Sequence, residues 1–202
     1  MHRAGAALVA IACWAGLAVQ FSATYGEQHD VAATLWILAR YFTVLTNLIV
    51  SLVMTAVAIG RRVSPLVLGG VTLAILLVGI VYAFLLEHLY SMTGVAKVAD
   101  VMLHKVAPLL TVVWWLLFAP RAKLRWSAPL WWAAYPLAYF IYSIARGRID
   151  GKYPYPFLDV GLLGWLQTAL NAAGIAFGFV LCGFLLVWID RWRPLGSRRS
   201  SR

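Results

Sequence analysis

Apolar residues in this chain come in long runs, and polar residues gather between them. Several runs reach the ~20 residues needed to cross ~30 Å of hydrocarbon. The pattern predicts six helical spans, at 4–22, 34–59, 65–86, 101–118, 129–145 and 164–189. Short alternating strands, the mark of a transmembrane barrel, do not stand out. Connections are short, so residues 1–190 read as one six-helix transmembrane domain and 191–202 as a basic cytoplasmic tail. The predicted class is an all-α polytopic membrane protein.

Composition strengthens this reading. The 202 residues are 63% hydrophobic and 12% charged, whereas soluble domains are about half apolar. Net charge is +10. In a soluble protein that would suggest nucleic acid; here the basic residues sit at span ends and set topology instead. One side collects Arg3, Arg61, Arg62, Arg121, Lys123, Arg125 and the basic residues of "RWRPLGSRRSSR". The other holds Lys97, Arg146, Arg148 and Lys152, with most of the acids. The asymmetry predicts both termini in the cytoplasm and a multi-pass protein of the cytoplasmic membrane. The opening "MHRAGAALVAIACWAGLAVQF" has too long an apolar part for a signal peptide and reads as a retained first helix. Cys13 and Cys182 lie inside apolar runs and suit neither a disulfide framework nor a metal site.

Polar residues inside the spans carry the chemistry. At about 100° per residue, Arg40, Thr43, Asn47, Ser51 and Thr55 share one sector of span two, and Thr46 lies off it. Helix packing explains Ser51 and Thr55; an intramembrane arginine needs a partner or a path to water. In span four, Asp100, His104 and Thr111 share a face, with Asp100 one turn from His104 and able to orient it. Span five presents Tyr135, Tyr139, Tyr142 and Arg146. Span six adds Gln167 and Asn171, then Gly174 and Gly178 at a spacing that suits close helix packing. These faces converge on the outer half of the bundle, beneath the loop "RGRIDGKYPYPFLDV". Its Gly and Pro residues break helix. Its aromatics suit an interfacial anchor or a lid.

A hydroxyl beside an imidazole is the minimum for nucleophilic catalysis: histidine takes the proton and threonine Oγ attacks a carbonyl. Asn47, a tyrosine or Arg40 would stabilise the oxyanion. Arg40, Tyr139 and Arg146 are candidates for binding a carboxylate or other polar headgroup. No G-x-S-x-G elbow, H-E-x-x-H, P-loop or C-x-x-C occurs. No cofactor or metal is expected, nor a nucleic-acid partner; the expected partner is a membrane lipid or fatty acyl ester. A non-catalytic lipid-binding or transport bundle uses the same pocket. A b-type haem held by His88 and His104 is a third reading.

Three patches resemble the androgen-induced protein (ADTRP-like) family. They are "RYFT" with Asn47-Leu48 after it, "LHKVAP" from Leu103 to Pro108, and "RGRIDGKYPYPF" from Arg146 to Phe157. The resemblance implies a six-span threonine hydrolase of fatty acid esters of hydroxy fatty acids. It puts the nucleophile at Thr43 and the base at His104. Asn47 follows Thr43 by four positions where the animal proteins have three, so Thr46 is a rival alignment. Val101 stands where the family has a second histidine, and Pro108 comes one residue early.

Overall fold

The computed structural model describes residues 1–89 and 92–192, and among these it is all-helical. The predicted tail lies outside the described residues except for Arg191 and Trp192, which continue the last helix. Helix α1 runs His2–Gln28, α2 Val31–Leu38 and α3 Phe42–Ala58. Helix α4 runs Pro65–Val81 and continues through a π-turn, Tyr82–Leu86. Helix α5 begins at Gly94–Val101, widens into a π-turn at Met102–Val106 and resumes as Ala107–Phe118. Then follow α6 (Ala128–Trp132), α7 (Ala134–Asp150) and α8 (Val160–Trp192).

Helices α1, α4, α5 and α8 are long and apolar enough to cross a membrane, and the pair α2–α3 makes a fifth if taken as one span. That pair corrects the expected continuous helix 34–59: it bends by 96°. The expected span 129–145 is likewise divided at Ala133, and α7 has 17 residues, ~26 Å of helix. Helix α8 is interrupted at Gly164, whose φ of 73° is open to glycine at no steric cost. The helix beyond it starts where the sixth span was expected.

The bend between α2 and α3 has no glycine or proline at it. Asp30 caps α2 through Ala33 N, at 2.6 Å. The chain then tightens, Arg40 N donating to Ile37 O and Tyr41 N to Leu38 O. This leaves the carbonyls of Trp36, Ala39 and Arg40 without helical donors. Helix α7 supplies all three: Arg146 donates to Trp36 O, Tyr142 to Ala39 O at 3.0 Å, and Tyr139 to Arg40 O at 2.8 Å. Orphan carbonyls beside hydrocarbon need such partners.

Arg40 therefore sits in the bend, not on the α3 stripe where it was expected. It is buried and makes a two-pronged pair with Asp150, at 3.1 and 2.6 Å, and donates to Lys152 O. This latch ties the bend to the segment 151–159, which roofs one end of the bundle. The roof is also seated on glycine. A Cβ at Gly147 would lie 2.3 Å from the Tyr153 ring. Asn171 Nδ2 holds Phe157 O at 3.1 Å. By contrast, Gly174 and Gly178 face open space, so the close packing expected of them is not formed.

Gly147→Ala must push Tyr153 off its seat while leaving α7 intact. In detergent micelles, trypsin should cut after Arg148 or Lys152 at least about fivefold faster than in wild type, the equivalent of ~1 kcal/mol. Unchanged cleavage would show that Tyr153 does not hold the roof.

Candidate active site

Because α3 starts at Phe42, Thr43 is in its first turn. Its Oγ1 lies 3.2 Å from His104 Nε2. His104 Nδ1 faces two acceptors of Asp100, the backbone carbonyl at 3.0 Å and Oδ1 at 3.1 Å. Nδ1 thus carries the proton, and Nε2 is left to accept from the Thr43 hydroxyl. Asp100 is itself buried and fixed: Tyr82 donates to its Oδ2 at 2.6 Å, and Lys97 to the same atom at 3.3 Å. The Tyr82 ring stacks on the imidazole, centroids 4.2 Å apart. Thr43, His104 and Asp100 form a linear hydroxyl–imidazole–carboxylate chain with the ring clamped in orientation.

Pro108 accounts for the placement of His104. Proline lacks an N–H and its ring clashes with the carbonyl four residues back. The π-turn before it, with Ala107 N bonded to Met102 O, absorbs the misfit. The cost is the Leu103 carbonyl, whose possible donors are then Ala107, already used, and Pro108, which has none. Asn47 Nδ2 takes it at 3.2 Å and also bonds Thr43 O at 2.9 Å. One fully buried amide thereby joins the Thr43 turn to the His104 turn. Gly16 lets α1 close behind, where a Cβ would meet Leu103 at 2.8 Å.

On its other side Thr43 borders a cavity of about 570 Å³. The hydroxyl-bearing residues in its wall are Thr43, Tyr139 and Tyr155; the rest is apolar, from α3, α4, α6, α7, α8 and the roof. Tyr155 packs edge-on against Tyr41, the residue before α3, and lines the cavity with Thr43. Tyr155, Phe157 and Leu158 all face this space, so the segment 151–159 is a roof over it, while residues 146–150, expected in the loop, continue α7.

The residues expected at the site separate into two sets. Thr43, His104 and Asp100 come together. Asn47 has both of its donated bonds on carbonyls, and no cavity described borders it. The guanidinium of Arg40 is taken by Asp150 and Lys152 O, and that of Arg146 by Trp36 O and Tyr142, lying 3.9 Å over the Trp36 ring. Both arginines hold the bend and the roof instead of facing a ligand. The Tyr139 hydroxyl is engaged by Arg40 O although its ring lines the cavity. Thr46, the rival of Thr43, is paired with Tyr135 OH at 2.9 Å and meets no histidine. Thr111 bonds back to Ala107 O. Gln167 is exposed and bonded to Asn171.

His88 is exposed just beyond α4, and both ring nitrogens of His104 are hydrogen-bonded. The pair does not converge on a cavity. Among the described residues no group of three or more His, Cys, Asp or Glu is placed to hold a metal ion. Tyr82 was not expected at the site: it lies 22 positions before His104, and only the packing of α4 on α5 unites them. Comparison with family models, curated proteins and solved structures gave no match.

Asn47→Leu keeps the side-chain volume and strands two carbonyls. It should lower stability by about 2–4 kcal/mol, read from denaturant unfolding in micelles, and equal stability would remove Asn47 as the tie. The roof latch has a pH signature. Arg40 beside Asp150 holds its carboxyl below the usual carboxylate range. A group with a lowered folded value contributes fully above the ordinary pKa of about 4 and loses its contribution as pH falls from there. Hydrogen exchange of residues 150–158, corrected for intrinsic rates, should be flat from about pH 7 to 5 and rise below about 4. A rise already at pH 5–7 would contradict the latch.

Proposed function

We propose that this chain is an integral-membrane hydrolase of fatty acyl esters, with Thr43 as nucleophile and His104 as general base. The observation that carries the reading is the 3.2 Å contact between Thr43 Oγ1 and His104 Nε2 at the end of a large apolar cavity. The Thr43 proton passes to Nε2 as Oγ1 bonds to the ester carbonyl carbon. The developing oxyanion is met by the first-turn N–H groups of α3 and the Tyr155 hydroxyl, at the positive end of the helix dipole. Collapse breaks the C–O bond to the alcohol, which leaves with the proton from Nε2. A water, deprotonated at the same nitrogen, then cleaves the acyl-threonine and restores the hydroxyl. Asp100 keeps the imidazole in the Nδ1–H tautomer and stabilises its charged form.

The proposal extends to topology and kinship. Six crossings with both termini cytoplasmic follow from the Lys and Arg distribution. They require α2–α3 to act as one broken span and α6–α7 as another. Membership of the androgen-induced protein family rests on the three sequence patches, which fall on the bend, the π-turn and the roof. Hydroxy-fatty-acid esters are the substrates that kinship suggests.

Purified protein in micelles should hydrolyse long-chain acyl esters and label with a fluorophosphonate probe. Thr43→Ala and His104→Ala should each lower turnover by about 10²–10⁴-fold, and Asp100→Asn by at least about tenfold. Thr46→Ala should stay near wild type. Equal turnover by wild type and Thr43→Ala would overturn the nucleophile. Retained lipid with no turnover in any form would favour a non-catalytic lipid carrier.

A further inference from the structure

The wall of the cavity has a direction. Its three hydroxyl-bearing residues gather at the roofed end: Phe42, next to Thr43, packs on Tyr139, and Tyr155, in the roof, packs on Tyr41. From there it descends between α7 and α8 to Trp131 and Phe179 and carries no charged side chain. Tyr139 and Trp131 are eight residues apart along α6–α7, ~12 Å of helical rise. One flank is open. Leu137 on α7 and Ala173 and Ala176 on α8 border the cavity and are exposed on the bundle surface. The surface around that opening is apolar, with Ile141, Leu166, Leu170 and Phe177 exposed beside it. Such a surface belongs against hydrocarbon.

We propose that a single uncharged acyl ester enters this cavity sideways from the bilayer, between α7 and α8, with its carbonyl at Thr43 and its chain tail toward Trp131 and Phe179. This rests on the hydrolase reading for the site but narrows the substrate to esters without a free carboxylate, and so sets aside the hydroxy-fatty-acid esters that kinship suggests, which carry one. The cavity, about 570 Å³, is roomy enough for a long acyl chain. The charge argument excludes a carboxylate-bearing end inside it. Neither Arg40 nor Arg146 lines the cavity: Arg40 is paired with Asp150, and Arg146 donates to Trp36 O and Tyr142. A carboxylate there would be buried without a partner, which is strongly unfavourable. A neutral ester carbonyl needs only the hydroxyl and N–H groups present.

The test measures capture, not turnover. Thr43→Ala protein in phosphatidylcholine nanodiscs is irradiated with a palmitic methyl ester bearing a diazirine near its chain end, or with the free acid form. The bound label is located by peptide mass spectrometry. The ester should label the Trp131 and Phe179 peptides, and do so about tenfold more than the acid. Ala176→Trp and Leu137→Trp, one from each rim, should each cut that labelling at least about fivefold, while Leu170→Trp, outside the opening, should not. Unaltered labelling in both rim variants would overturn lateral entry. Preference for the acid would overturn the uncharged substrate. Since Thr43 is absent throughout, failure of the hydrolase reading would appear in the turnover assay and not here.

Discussion

A helix that stops beside hydrocarbon leaves carbonyls with no water to turn to, and the arrangement around Thr43 depends on how three of them are satisfied. Trp36, Ala39 and Arg40 lose their helical donors in the bend, and Arg146, Tyr142 and Tyr139 replace them from one face of α7. Each unmet carbonyl would cost about 1–3 kcal/mol, so the three bonds together are what make a 96° turn tenable. The same face fixes α7 against the bend. Arg40 pairs with Asp150 at the end of α7 and anchors the roof through Lys152 O. Bend, roof and cavity are thus coupled through residues of which Arg40, Tyr139 and Arg146 read, one by one, as ligand-binding groups.

A second irregularity meets the first. Pro108 forces α5 to widen, the widened turn carries His104, and the carbonyl it frees is taken by Asn47 from α3. Asn47 also holds Thr43 O. The two halves of the hydroxyl–imidazole pair are therefore each on a distorted turn, and one buried amide spans both. Tyr82 and Asp100 then fix the ring from the far side. Rigid backing of this kind is what a reacting pair requires.

Much of this was legible in the sequence because polar residues in apolar runs are expensive and must have a use. Hydropathy located the long helices, and the spacing of Asp100 to His104 gave their shared face. Pro108 was a visible signal for the distortion at His104. The bend was not legible: no breaker lies between Leu38 and Phe42, and its stabilising residues are about a hundred positions away. Helical phase therefore put Arg40 on the same stripe as Thr43, where an unbroken helix would carry it. The arginines looked like ligand groups because sequence does not reveal Asp150 or Trp36 as their neighbours. Gly174 and Gly178 had the spacing of a packing motif, yet they face open space beside a smaller cavity.

The bend also explains why the Thr43 hydroxyl, unlike most helical threonines of this chain, faces an imidazole. In an unbroken helix the threonine hydroxyl tends to bond back to the carbonyl four residues earlier. Thr34, Thr55, Thr72, Thr111 and Thr168 all do so in this chain. Thr46 is taken by Tyr135. For Thr43 the corresponding carbonyl is that of Ala39, which lies across the bend and already accepts from Tyr142. Without that acceptor the Thr43 hydroxyl turns to His104. The local break converts a side chain that would otherwise be packing glue into a free hydroxyl at a helix start, with an imidazole on one side and an acyl-sized cavity on the other.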